Sequence, residues 1–225
     1  MTHPLDTPVW SALSTRQAGF DAEGRLSRRF PPDIGPLAAV RDKSAEAVAE
    51  LVARIPAGDE VSLMEVAPPE APAGVVATHA AVLQMIAAGM SARDGGPKLE
   101  PLGDADAAEM LGLALLTRPG PFRTRTHTVG RFLGIRDGTR LVAMAGDRLK
   151  LDGFAEISGV CTHPDYRGRG YGETLMRAVG ARILAEGDKP ILHTYAANTG
   201  AIALYRKLGF EVRAEVIHAV WKREV

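Results

Sequence analysis

The sequence predicts an α/β protein built on a mixed central sheet. Three observations carry that expectation. Strand-like and helix-like segments alternate in the second half of the chain. Several strands come instead as hairpins. One strand runs through a glycine-rich loop into a long amphipathic helix. Alternation asks for parallel neighbours and hairpins for antiparallel ones, so one sheet contains both.

The elements read in order as follows. A short helix is expected near Pro8 to Gln17, and Arg28-Arg29-Phe30-Pro31-Pro32 then breaks regular structure. Gly35 to Val40 reads as a strand. Ser44 is a good N-cap for a helix to about Ile55, whose Val48, Leu51, Val52 and Ile55 keep helical spacing. Pro56-Ala57-Gly58 ends it, and Glu60 to Val66 alternates as a strand. Ser91 to Pro97, with Asp-Gly-Gly-Pro, has linker chemistry and sets an expected boundary between residues 1–97 and 98–225. Leu99 to Leu102 reads as a strand, and Asp104 caps a helix through Leu116. A second short helix is expected near Thr126. Arg131–Ile135 and Arg140–Ala145 form a hairpin over Asp137-Gly138. Phe154–Thr162 is a strand, followed by a helix to about Glu186 that Gly187 stops. Pro190–Tyr195 is a strand, Ala201–Leu208 a helix closed by Gly209, and Glu211–Trp221 supplies the last strands.

Bulk properties exclude several classes. Lys plus Arg and Asp plus Glu each total 27, so the overall basic excess of a typical nucleic-acid binder is missing. Cys161 is the single cysteine, which rules out an internal disulfide or a cysteine-based zinc site and fits a reducing cytoplasm. Met1 to Trp10 carries Pro4, Asp6 and Pro8 and does not read as a signal peptide. Ala71 to Ala92 lacks Asp, Glu, Lys and Arg. Its Pro72, Gly74, His79, Gln84 and Gly89 favour a buried strand pair or helix over a membrane span.

The chemistry concentrates at Arg167-Gly168-Arg169-Gly170-Tyr171-Gly172. A glycine-rich loop at a helix start turns several backbone N–H groups one way, and the helix end adds partial positive charge. The target this suits is a pyrophosphate. No Lys-Ser/Thr follows, which excludes a Walker A loop, and the glycine spacing is not G-x-G-x-x-G. A plain strand-to-helix turn would use the same glycines.

Further residues break that tie. Arg167, Gly170 and Gly172 match Arg-x-x-Gly-x-Gly. Val160, Pro164 and Tyr166 form the lead-in. Asn198, Ala201, Leu204-Tyr205 and Gly209-Phe210 follow about thirty residues on. In these motifs residues 98–225 resemble the GNAT N-acetyltransferase superfamily, within its FR47-like group. The resemblance implies an acyl-CoA-dependent N-acyltransferase with a GNAT fold and acetyl-CoA as co-substrate, without metal. The acceptor would be a primary amine of a small molecule or peptide, with no nucleic acid or membrane partner and room for a homodimer.

It also implies roles. Backbone N–H groups of Arg169, Gly170, Tyr171 and Gly172, and of Glu173 or Thr174 just after, would hold the pyrophosphate, with Arg167 and Gly168 completing the cofactor-binding loop. Val160 and Thr162 would meet the pantetheine arm, with Asn198 nearby. Tyr205 would protonate the leaving thiolate, although it also suits helix packing, as Asn198 suits a cap. Glu156 stands where the histone-acetylating members carry their base, with a solvated edge position or a structural ion pair as its alternatives. His163 and His193 are second candidates for that role. Cys161 suits packing better than nucleophilic catalysis. Arg118, Arg123, Arg125, His127 and Arg131 suggest an acidic acceptor, the cofactor's 3′-phosphate or a solvated loop. Residues 1–97 resemble a degenerate GNAT half that lacks the loop motif and would wall the acceptor site. A non-catalytic acyl-CoA sensor is the competing reading, which the presence of both Tyr205 and Glu156 disfavours.

Overall fold

The computed structural model describes residues 3–21, 23–92 and 95–225. The first half contains α1 (Pro8–Ser14), β1 (Ser27–Arg29), β2 (Ala38–Val40), α2 (Ala45–Ala53), β3 (Glu60–Glu65) and β4 (Val75–Ala87). The second half contains β5 (Glu100–Leu102), α3 (Ala107–Thr117), β6 (Phe132–Asp137), β7 (Arg140–Leu151) and β8 (Phe154–Thr162). It continues with α4 (Tyr171–Ala185), β9 (Lys189–Tyr195), α5 (Thr199–Lys207) and β10 (Phe210–Arg223). Arg93 and Asp94 of the expected boundary, and Met1 and Thr2 of the N-terminal segment, lie outside the described residues.

Local chemistry accounts for most of these elements. Ser44 caps α2 by accepting from Ala47 N at 3.3 Å. The short helix expected near Thr126 is a 3-10 turn, Thr126–Val129. The uncharged stretch becomes β4, because β-branched Val75, Val76, Thr78, Val82 and Ile86 fit a strand paired on both sides. No helix among the described residues is long and apolar enough to cross a membrane. The last segment is one continuous strand, with a register shift between Val212 and Ala214.

Eight strands form one sheet in the order β3-β10-β4-β9-β8-β7-β6-β5, and β1 and β2 make a separate ribbon. Neighbours in the large sheet are antiparallel except β8 and β9, which are parallel. Helices cover both faces. Leu5, Val9 and Leu13, around α1, pack with Leu149, Leu151 and Ile191. On the opposite face Leu175, Met176, Val179 and Ile183 of α4 pack with Ala145, Ile157 and Leu192. Adjacent Ile191 and Leu192 thus serve different faces, the period-two logic of a strand buried on both sides.

The boundary near residue 97 does not divide this sheet. β4, from the first half, lies between β9 and β10 of the second. Its Val82–Ile86 pairs with Tyr195–Ile191, and its other edge runs along Phe210–Arg223. β3 then extends the same sheet on the far side of β10.

The parallel pair positions the site. β8 and β9 are in register only from Phe154–Glu156 against Lys189–Ile191. Further along, β8 stays with β7 and β9 with β4, so the sheet opens between them.

Candidate active site

The glycine-rich loop joins β8 to α4. Gly168 and Gly170 both have φ of 78°, left-handed backbone that side chains with a Cβ adopt reluctantly. Gly170 is the N-cap of α4 and offers no side chain to satisfy the helix end. Among the described residues the N–H groups of Arg169 to Glu173 have no acceptor within the protein. Five donors at the positive end of a helix make a cradle for an anion. Thr174 lies behind it. Its N–H (3.0 Å) and hydroxyl (3.2 Å) both donate to Gly170 O, so the side chain braces the turn. The Glu173 carboxylate, close to any bound anion, is paired with Arg177 at 3.1 Å and Lys207 at 3.2 Å. Arg167 and Arg169 are exposed, and Arg169 stacks 4.7 Å from the Tyr166 ring centroid. A Cβ on Gly172 would stand 4.0 Å from Val160 Cγ1, so the loop abuts the open edge of β8.

Behind that edge lies a cleft of about 350 Å³. Ser158, Gly159 and Val160 of β8 form one wall, and Leu192 to Tyr195 of β9 form the other. Thr162 lies on β8 outside the cleft lining. β8 bulges here: Gly146 pairs with Ser158 and Met144 with Cys161, leaving Gly159 and Val160 opposite Ala145. Gly159 has φ of 64°, and a Cβ on it would stand 2.9 Å from Phe132. Asn198 and Tyr205 line the cleft from the α5 side, and Arg118 to Pro121 from the end of α3. Leu37, Met64 and Val82 of the first half add an apolar wall.

Asn198 caps α5, its Oδ1 accepting from Ala201 N at 3.3 Å, so cap and cleft residue coincide. Tyr205 packs edge-on to Phe210, and its hydroxyl has no partner among the described residues. Burial raises the Tyr205 pKa, which keeps the phenol protonated near neutral pH.

Glu156 is in a different position. Its side chain is 2% exposed, and Arg148 holds both carboxylate oxygens, Nε at 2.9 Å and Nη2 at 2.8 Å. His193 Nδ1 lies 2.7 Å from Oε1. Burial pushes this carboxyl up, but the Arg148 charge and the His193 contact outweigh it and hold the pKa well below the usual range. His193 is equally committed, with Gln84 Nε2 3.1 Å from its Nε2. Gln84 in turn meets Leu5 O and Arg213. His163 is bound to Arg140 at 2.6 Å and lies outside the cleft lining. Burial pushes the Cys161 thiol up to about 11, away from a reactive thiolate.

The basic segment does not gather at one place. Arg125 pairs with Asp33, His127 with Asp104, and Arg131 with Glu186. Arg118 and Arg123 form no ion pair among the described residues, and of the five only Arg118 lines the cleft. The structure adds cleft residues that the sequence reading passed over: Arg148, Tyr195 and His218. Arg148 looks like a surface charge in a hairpin and His218 like one position of a final strand. Only the sheet order brings them together. Among the described residues no group of three or more His, Cys, Asp or Glu is arranged to hold a metal.

Comparison with known proteins adds relatives. The family model described as FR47-like protein matches residues 132–221. A solved structure of a putative acetyltransferase from the GNAT family of Novosphingobium aromaticivorans is 40% identical over all of both chains, with a TM-score of 0.92. A GCN5-related N-acetyltransferase from Kribbella flavida shares the fold at 15% identity, covering 97% of this chain and 96% of that one, with a TM-score of 0.61. Mycothiol acetyltransferase from Corynebacterium aurimucosum is 41% identical over 71 residues, 31% of this chain and 23% of that protein. Its counterpart from Corynebacterium efficiens is 36% identical over 89 residues, 39% of this chain and 29% of that protein. The matched region thus spans under a third of those curated relatives.

Proposed function

The chain belongs to the GNAT acetyltransferase family, and from that premise we propose that it transfers the acetyl group of acetyl-CoA to a primary amine by direct attack. The observation that carries this reading is the parting of β8 from β9 beside a helix start with five unpaired N–H groups. The Arg169–Glu173 cradle, whose turn Thr174 braces, takes the pyrophosphate, and the exposed Arg167 adds positive potential. The pantetheine arm lies in the opening, where Val160 and Thr162 offer backbone partners and Asn198 closes the α5 side. The bulge at Gly159 turns backbone donors out of the β7 ladder, where they polarise the thioester carbonyl.

The amine enters from the side walled by Leu37, Met64 and Val82. Its nitrogen forms a bond to the carbonyl carbon as the C–S bond breaks. Tyr205, kept protonated by burial, gives its proton to the departing thiolate. Glu156, paired with Arg148 and His193, fixes those two side chains in the cleft wall. Its ionised form is too strongly held by Arg148 and His193 to be an effective base. Holding both reactants in one cleft supplies much of the acceleration.

The test is release of free CoA thiol, followed with acetyl-CoA and a panel of primary amines. Amine-dependent release supports the transferase. Acetyl-CoA binding without release for any amine would indicate a sensor instead.

A further inference from the structure

The reaction needs a group that removes a proton from the acceptor ammonium, and the cleft offers few. Its lining contains Arg118, Arg148, Glu156, His193, Tyr195, Tyr205 and His218 as ionisable side chains. The arginines are permanently charged. Tyr205 is needed as an acid. Glu156 has both oxygens bound by Arg148. His193 has one nitrogen on Glu156 and the other beside Gln84, and its side chain is 3% exposed. His218 is the remaining imidazole.

His218 lies within β10, opposite Met64 of β3 and Ala80 of β4. Its Nδ1 is 3.1 Å from the Tyr195 hydroxyl, and the two ring centroids are 6.0 Å apart. Nε2 has no partner among the described residues. When Nδ1–H donates to the Tyr195 oxygen, the lone pair sits on Nε2, the tautomer a general base requires. We propose that His218 takes the proton of the acceptor ammonium, with Tyr195 fixing the ring and its tautomer.

The surroundings favour this role. Burial lowers the His218 pKa below its ordinary value, and the positive Arg148 of β7 and His193 of β9 lower it further. Glu60 of β3 acts in the opposite direction. Glu156 of β8, the other nearby carboxylate, is already balanced by Arg148. The imidazole is therefore neutral, and able to accept, through the neutral pH range. One ammonium proton passes to His218 and on to solvent. The C–N bond forms and the C–S bond breaks. Tyr205 protonates sulfur, and the second nitrogen proton makes up that loss.

This inference rests on the transferase reading, so the experiment separates the two. kcat/KM is measured against pH for the wild type, His218→Gln and His218→Ala, with glycinamide and n-butylamine as probe acceptors. Acetyl-CoA calorimetry and circular dichroism on each variant check site and fold. The wild type should gain activity as pH rises through the His218 pKa. His218→Gln should fall about 10²-fold at neutral pH, with the deficit shrinking as the amine deprotonates unaided. Added imidazole should restore part of the His218→Ala rate. A folded, acetyl-CoA-binding His218→Gln with the wild-type rate and acid limb would overturn the role of His218 alone. Should His218→Gln fail to fold, His218→Asn, which can keep the Tyr195 contact, is read by the same criteria. A wild type that binds acetyl-CoA yet acetylates neither these amines nor any other of the panel would overturn the transferase reading itself.

Discussion

At the residue scale, the cleft separates charge that is held from charge that is free to act. Tyr205→Phe removes a hydroxyl without a protein partner, so folding and acetyl-CoA affinity should persist while kcat falls about 10²-fold. Unchanged turnover across the pH range would leave Tyr205 as packing. Glu156→Gln should behave differently, because it leaves the largely buried Arg148 unpaired; unfolding free energy should drop by about 3 kcal/mol. The Glu156 carboxyl titrates below its unfolded value, so its stabilisation is complete above the ordinary carboxylate range and is lost as pH falls below it. Denaturant midpoints of wild type and variant should therefore converge in acid. Glu65 has the opposite sign. It is 3% exposed, its Oε1 has no partner, and burial pushes its pKa up to about 7. It costs nothing below the unfolded pKa near 4.5, and the penalty grows until pH passes about 7. Glu65→Gln should raise the Tm at pH 8 and leave it unchanged at pH 4. The motif residues Tyr205 and Asn198 were legible in the sequence because their spacing announces them. His218 and Arg148 were not, since nothing local distinguishes a strand histidine in a cleft from one on a surface.

At the element scale, the bulge in β8 and the loop before α4 are the parts whose backbone is unusual. Gly159→Ala would place a Cβ against Phe132 on left-handed backbone, at a cost of about 1–3 kcal/mol. It should also disturb the donors beside the thioester, so kcat should fall more than acetyl-CoA affinity. A variant with wild-type stability and rate would remove the bulge from the account. Helices α2, α3, α4 and α5 and strands β3 and β8 were readable from caps, glycine stops and apolar spacing. β4 was not resolved between strand and helix. Its alanines suit a helix, and the pairing on both edges that decides the matter comes from β9 and β10, more than a hundred residues away. β10 read as more than one strand because charged and apolar residues mix along it, yet partners on both sides keep it continuous.

At the scale of the whole molecule, the two halves share one sheet. A chain of residues 98–225 would lack β3 and β4 and leave β9 and β10 without their shared neighbour. It would also lose Leu5, Val9 and Leu13 from the core. We expect it not to fold alone, and cooperative thermal unfolding of that fragment with retained acetyl-CoA binding would show the halves to be separable. Sequence order hides this arrangement, because the linker chemistry near Gly95-Gly96-Pro97 marks a turn in the chain and carries no information about which strands pair across it. The central claim is that one acetyl-CoA binds where β8 and β9 part, its pyrophosphate on the start of α4. Calorimetric titration of acetyl-CoA into the full chain and into Gly170→Asp tests it most directly. The account predicts one site per chain in the wild type and loss of binding in the variant, whose carboxylate would meet the pyrophosphate. Unchanged affinity in Gly170→Asp, or two sites per chain, would contradict it.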